Sequence, residues 1–436
     1  MFCFNIVSRY EHIIFSLIFI KEISNLGVPN RGSVNFPRLR FPEFEGEYRQ
    51  YSFEDLFLFS TGKNIKQNEA SPEYETPCVR YGELYHLYNE IISEVVNKTN
   101  LDKSDLTFSI GNEILLPSAG EDPLDIGSAS ALTIKGVAIG RTINILRPLK
   151  KNLYSNIYVS YYINEKLKKK ISTLAKGVSI SNVYNSDLKI LNALLPSISE
   201  QQKISSFLLL INSRIQTQNK IINDLKTLKT ATAKKIFSQE FRFKDDKGND
   251  FSEWEEILLG EVMSIPEKTK AQNIDKNKLL TVKLHLKGVL KNDNTDTLSF
   301  GATNYFIRKK GQFIYGKQNL FNGAFDIIPD EFDGFLSSGD VPTLEINNSK
   351  INSSFLLYLM GRKEFYKPLE DFATGSGSKR IHEKTLLGIK IPFPSLPEQT
   401  KIANFLSSID SKIDIENQLL QKLEEQKKYL LQNMFV

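Results

Sequence analysis

The chain has 436 residues, 41% hydrophobic and 25% charged, enough for two domains of roughly 150 residues each plus connecting elements. A net charge of +5 permits a polyanionic partner and fits a neutral solvated surface equally well. Only Cys3 and Cys78 occur, which excludes a disulfide framework and a cysteine-rich zinc site and points to a reducing, cytoplasmic setting.

From the N-terminus, IIFSLIFI (Ile13–Ile20) is too short to span a bilayer, and the KEISNLGVPN that follows has no A-x-A-like cleavage site. Residues 1–33 read as an N-terminal extension, disordered or belonging to a mis-assigned start, because the repeat described below begins near Arg40. A module opening, RFPEFEGEYRQYSFEDL, runs from Arg40 to Leu56. Beyond it, CVRYGELYHLYNEI (Cys78–Ile91) sets Arg80 beside Tyr81, Tyr85, His86 and Tyr88. Arginine takes guanine bidentately and tyrosine contacts phosphate, so Arg80 and Tyr81 are candidates for touching DNA. Tyrosines spaced by three and four also fit the packing stripe of a helix, the favoured reading for Tyr85 and Tyr88. EKLKKK (Glu165–Lys170) reads as a cationic surface helix that either steers nucleic acid or keeps the chain soluble.

A helix opens at Pro196, where Glu200 and Gln201 in the first turn suit the helix dipole. Its apolar residues recur at alternating spacings of four and three: Ile204, Leu208, Ile211, Ile215, Ile222, Leu225 and Ile236. The pattern returns 198 positions later in Ile402, Leu406, Ile409, Ile413, Leu420, Leu423, Leu430 and Met434. Aligned without a gap, 195–237 and 393–435 share 15 identical residues. Such spacing predicts a coiled-coil seam, and Gln218/Glu416 and Lys229/Lys427 interrupt both copies at equivalent places, where polar residues fix pairing register. The alternative is an amphipathic stripe by which each helix packs on its own domain. Two helices of about 37 residues are about 55 Å long, more than one compact domain covers, which favours their pairing with each other, antiparallel about a pseudo-two-fold axis.

The second module opens with RFKDDKGNDFSEWEEILLGEV (Arg242–Val262), in which Trp254 corresponds to Tyr48. Between the shared flanks, at about 60–170 and 265–370, the two copies show no convincing match. TVKLHLKGVL (Thr281–Leu290) alternates as a strand does, with Val282, Leu284 and Leu286 on one face and Lys283, His285 and Lys287 on the other. The basic face suits a DNA groove or a phosphate, or is an edge strand guarded by lysines. TGSGSKR (Thr374–Arg380) offers glycines and the cations Lys379 and Arg380, either for a phosphate or as an ordinary turn; the P-loop spacing is absent, and KGVSISN (Lys176–Asn182) lacks the basic pair.

A duplicated P-S-x-x-E-Q-x-K-I-x-x-F-L helix start, module openings at Arg40-Phe41, Phe44, Gly46-Glu47-Tyr48 and at Arg242-Phe243, Phe251, Glu253-Trp254, and two unlike intervening stretches resemble the specificity subunit of type I restriction-modification systems over residues 40–436. The resemblance implies two α/β (α+β) target-recognition domains, 34–194 and 241–392, joined by spacer helices at 195–240 and 393–436 that form an antiparallel coiled coil. It further implies double-stranded DNA as ligand, with an asymmetric, gapped target. Two methyltransferase subunits and two restriction subunits would be partners, carrying S-adenosylmethionine, ATP and Mg²⁺, while this chain binds no cofactor or metal and has no catalytic residue. Tyr48 departs from the usual tryptophan.

An enzyme would need a catalytic or metal site of its own. IHEKTL (Ile381–Leu386) has Leu386 where a zinc motif needs its second histidine. Pro329-Asp330 with Glu345-Ile346-Asn347 lacks the lysine of a Mg²⁺-dependent nuclease, and neither a base-flipping Asn/Asp-Pro-Pro-aromatic tetrapeptide nor a dinucleotide fingerprint occurs. The rivals are a self-contained nuclease or other DNA-modifying enzyme, and a coiled-coil scaffold that binds proteins.

Overall fold

A computed structural model of the chain describes residues 35–293, 303–375 and 377–436. The apolar stretch Ile13–Ile20 and the N-terminal extension lie outside them. The described residues form two compact units, 35–220 with 418–436, and 221–417. Each unit holds one variable domain and part of each of two long helices, Ile198–Phe237 and Leu396–Met434. At 1.5 Å per residue each helix is about 60 Å long.

In the first unit a five-stranded sheet runs in the order Phe57–Thr61, Ile143–Pro148, Glu113–Pro117, Ser130–Leu132, Ile91–Ile92, antiparallel except for the last pair. Its central strands read EILLP and INILRP because both faces are buried. Ile114, Leu116 and Leu146 pack on Tyr158, Val159 and Tyr162 of the helix Asn156–Tyr162, while Leu115, Ile143 and Ile145 join Val79, Val137 and Ile139 on the opposite face. Val137 and Ile139 belong to a second, four-stranded sheet ordered Lys98–Thr99, Thr76–Val79, Lys135–Ile139, Phe108–Ile110. From the long helices this unit's core takes Ile204, Phe207, Leu208 and Ile211 at the start of one, and Leu430, Leu431, Met434 and the adjoining Phe435 at the end of the other.

The second unit is built differently. A four-stranded sheet, Met263–Ser264, Thr343–Ile346, Phe313–Tyr315, Phe325–Ile327, packs Phe313, Tyr315 and Leu344 against Phe355, Leu356 and Leu359 of the helix Ser353–Met360. Its core takes Ile236 and Phe237 from the end of the first long helix and Ile402, Ala403 and Leu406 from the start of the second. The two variable stretches thus differ in sheet as they do in sequence.

Along both long helices the residues at alternating four and three spacings are the covered ones. Ile204, Leu208, Ile211, Ile222, Ile236, Ile402, Leu406, Ile409, Ile413, Leu423, Leu430 and Met434 are buried, and Ile215, Leu225 and Leu420 are half-buried. Gln218 is buried at its place in this stripe, and Lys229, Glu416 and Lys427 are half-buried.

One local expectation fails. Thr281–Leu290 is not a strand with a basic face but a hairpin, Leu280–Val282 paired antiparallel with Val289–Lys291. Its turn contains His285 and Leu286 at φ 60° and 57° and Gly288 at φ 79°. Local alternation favours a strand, but the His285 and Leu286 N–H groups donate outward to the carbonyls of Asn322 and Gly323 at 2.9 and 2.8 Å. Those bonds hold two non-glycine residues in the left-handed region. Leu284 and Leu286 are consequently exposed, not core residues.

Candidate nucleic-acid interface

Both variable domains are mounted on the helices in the same way. Glu200, buried in the first turn of its helix, accepts from Arg40 Nε and Nη2 at 2.8 and 2.7 Å and from the Tyr48 hydroxyl at 3.1 Å. Glu398 accepts from Arg242 Nε and Nη2 at 3.2 and 3.0 Å and from Trp254 Nε1 at 3.0 Å. Tyrosine can stand where the second module has tryptophan because each ring places one N–H or O–H donor on the same carboxylate. Burial and the Glu200 charge push the Tyr48 phenol well above its ordinary pKa, so it remains a donor.

The adjacent glutamines hold the domains from another side. Gln201 Oε1 accepts from the Ser155 N–H at 3.0 Å and Gln399 Oε1 from the Asn352 N–H at 2.8 Å. Ser155 and Asn352 cap the helices Asn156–Tyr162 and Ser353–Met360. Each glutamine Nε2 donates to the carbonyl of its own Pro196 or Pro394. Reading Glu-Gln as helix-dipole chemistry missed this role; the signal was the joint recurrence of arginine, aromatic ring and Glu-Gln in both modules.

The candidate DNA contacts fall in separate places. In the first unit Arg80 is half-buried and donates from Nε to Glu83 at 2.8 Å, and Glu83 also accepts from Asn97 and from the Arg80 N–H. A guanidinium so engaged orders the loop around it. Tyr81 is 40% exposed, with its ring 6.4 Å from that of Tyr85, which lies 4.5 Å from the His86 ring. Tyr88 packs on the inner core and its hydroxyl accepts from the Val96 N–H.

In the second unit Lys283, His285 and Lys287 stand exposed around the hairpin turn. Lys367, which the sequence did not single out, donates to Asn322 Oδ1 at 3.0 Å, beside the carbonyl that receives the His285 N–H. Lys367 opens the short helical segment Lys367–Phe372, whose Glu370 pairs with Lys379 at 3.2 Å. Asn322 and this segment therefore link the hairpin tip to the loop of Lys379 and Arg380. That loop is closed by reciprocal backbone bonds between Thr374 and Arg380, and its counterpart by the same bonds between Lys176 and Asn182. Arg380 pairs with Asp340 at 3.2 Å. Exposed pairs of this kind contribute little to stability.

The hairpin's shape rests on Gly288. A Cβ there would lie 2.7 Å from Asp326 Oδ2, the acceptor of the Val289 N–H, at a φ unfavourable to other residues. Gly288→Ala is expected to destabilise the unit by about 1–3 kcal/mol, read as a lowered melting temperature in thermal denaturation.

Residues 45–227 and 251–425 each match the family model described as Type I restriction modification DNA specificity domain. The chain belongs to this family. Among its relatives is the Type I restriction enzyme MjaVIII specificity subunit of Methanocaldococcus jannaschii, 27% identical over 73% of this chain and 77% of that one. Another is the Type I restriction enzyme StySPI specificity subunit of Salmonella potsdam, 22% identical over 73% and 72%. The crystal structure of a type I restriction-modification S subunit from M. genitalium has the same fold, with a TM-score of 0.56 at 18% identity, covering 92% of this chain and 99% of that one.

For a member of the type I specificity family, two further junctions matter. In the second unit Asp410 accepts from Lys229 Nζ at 2.6 and 2.7 Å and from the Tyr358 hydroxyl at 2.7 Å, with Lys229 also 5.0 Å above the Tyr358 ring. In the first unit Asn212 donates to the Tyr161 hydroxyl, and Lys427, 5.8 Å above the Tyr161 ring, lies 3.5 Å from Glu90. Asn212 and Asp410 are repeat equivalents, as are Lys229 and Lys427.

Among the described residues no group of three or more His, Cys, Asp and Glu could hold a metal ion, and no helix is long and apolar enough to cross a membrane. Glu383 of the zinc-like phrase is instead buried between Lys317 and Lys268, at 3.1 and 3.2 Å.

Proposed function

We propose that the chain is the non-catalytic DNA specificity subunit of a type I restriction-modification complex, reading an asymmetric target of two half-sites separated by a fixed gap. The observation that carries this reading is one mount used twice, a buried glutamate clasping each module opening and the glutamine beside it accepting from the cap of a recognition-domain helix, beneath two unlike sheets. Like mounts would hold each reader on its helices by the same chemistry, and unlike sheets would give the two readers different half-sites.

The long helices act as an antiparallel coiled-coil spacer. In each unit the start of one shares a core with the end of the other. Successive major-groove faces recur about every 34–36 Å, a distance that helices of about 60 Å can bridge. Lys283, His285, Lys287, Lys379 and Arg380 on one domain, with Arg80 and Tyr81 on the other, contact DNA; the lysines supply salt-sensitive phosphate binding.

Adenine methylation and cleavage belong to two methyltransferase and two restriction subunits, which bind S-adenosylmethionine, ATP and Mg²⁺, and the complex works in the cytoplasm. The test is methyl transfer by the chain reconstituted with its methyltransferase subunits, with modified adenines mapped in genomic DNA. Two different half-sites at one spacing are expected. Methylation or Mg²⁺-dependent cleavage by the chain alone would overturn the reading in favour of a self-contained enzyme. No DNA retention by the reconstituted complex would favour a scaffold.

A further inference from the structure

We infer that Lys229, Asp410 and Tyr358 are positioning residues that set how the second recognition domain is held on the helices, and thereby how strictly the complex rejects targets with a wrong gap. The inference rests on the functional reading above. Three elements meet at this junction: Lys229 comes from the first long helix, Asp410 from the second, and Tyr358 from the helix Ser353–Met360 of the recognition domain. Asp410 is the common acceptor, with Lys229 Nζ on both of its oxygens and the Tyr358 hydroxyl on one. Lys229 then lies over the Tyr358 ring, adding a cation–π contact.

Packing alone does not explain the arrangement. Lys229 occupies the apolar stripe, where apolar residues at both 229 and 410 could hold the helices as firmly, since replacing an ion pair as a whole by apolar residues is often neutral or stabilising. A polar group at such a position specifies register and geometry at some cost in stability. The clasp at Glu398 and the bond from the Asn352 N–H to Gln399 both hold the domain within the first turn of its helix. Tyr358 adds a polar anchor twelve residues beyond Glu398, at Asp410, about 18 Å further along the helix.

The first unit has the same anchor in another chemical form. Asn212 replaces the carboxylate, so Lys427 turns to Glu90 of the recognition domain. Each half therefore ties a recognition-domain tyrosine to a helix amide or carboxylate and places a lysine over its ring, although the domains share no sheet arrangement. What recurs where the folds differ is the geometry of attachment.

The test uses the full chain in complex with its methyltransferase subunits, and compares methyl transfer to DNA carrying the preferred gap with transfer to DNA one base pair shorter or longer. Lys229→Met, Asp410→Asn and Tyr358→Phe should each lower the preference for the correct gap, about tenfold for the first two, as befits residues in direct contact. The loss should come chiefly from faster modification of the wrong-gap DNA. The exchange Lys229→Asp with Asp410→Lys should recover most of the preference. Tyr358→Phe removes one hydroxyl, so a folded variant is available even if the helix substitutions destabilise the chain. Variants with lowered melting temperatures but wild-type gap preference would overturn the inference and leave the functional reading intact. A wild-type complex that modifies no gapped site would remove the functional reading and this inference with it.

Discussion

Glu200→Ala is expected to lower the unfolding free energy of the first unit by about 3–5 kcal/mol, the range for removing one partner of a buried ion pair. Arg40 is only 7% exposed, and without the Glu200 carboxylate its charge keeps the main-chain carbonyls of Glu45 and Gly46 and the rings of Phe36 and Tyr48, but no anion. Tyr48 loses its acceptor in the same step. For a unit of this size the melting temperature should fall on the order of 10 °C. Glu398→Ala should cost less, because Arg242 is more exposed and retains Glu253 at 3.1 Å. Differential scanning calorimetry of the two variants checks both the magnitude and the order. Equal melting temperatures for Glu200→Ala and the wild type would show that the clasp does not hold the domain.

Four residues inserted after Leu225 should change which DNA the complex selects. They add about 6 Å of helix and a little more than one turn, so the apolar stripe shifts by only about 40°. The preferred gap should lengthen by about one to two base pairs at about 3.4 Å each, with the original site modified at least about tenfold more slowly. Half-site identity should not change, because neither sheet is touched. Methylation of the original gapped site at its original rate would sink the idea that the helices set the spacing.

Much of this molecule was legible without coordinates, for a particular reason. The helix at Leu396–Met434 and its twin at Ile198–Phe237 are recorded in a period of 3.5 residues carried by their own side chains, and the duplication writes that signal twice. The hairpin at Thr281–Leu290 shows the limit of such local signals. Its alternating residues fit a strand, but the turn is held by Asn322 and Gly323, some 37 positions away in sequence. At Arg80 the residue type alone suits guanine; that Glu83 takes its Nε, with Asn97 on the same carboxylate, is set by the fold.

What the sequence by itself determined is therefore the duplication, the extent and apolar stripe of both helices, and the family. Periodicity and repetition are properties of a chain read along its length. Tertiary structure alone decided that Glu200 and Glu398 are buried acceptors and that Asp410 gathers Lys229 and Tyr358 from separate elements. Their partners lie between 52 and 181 residues away, and a carboxylate's pattern in sequence is the same whether water or an arginine will satisfy it.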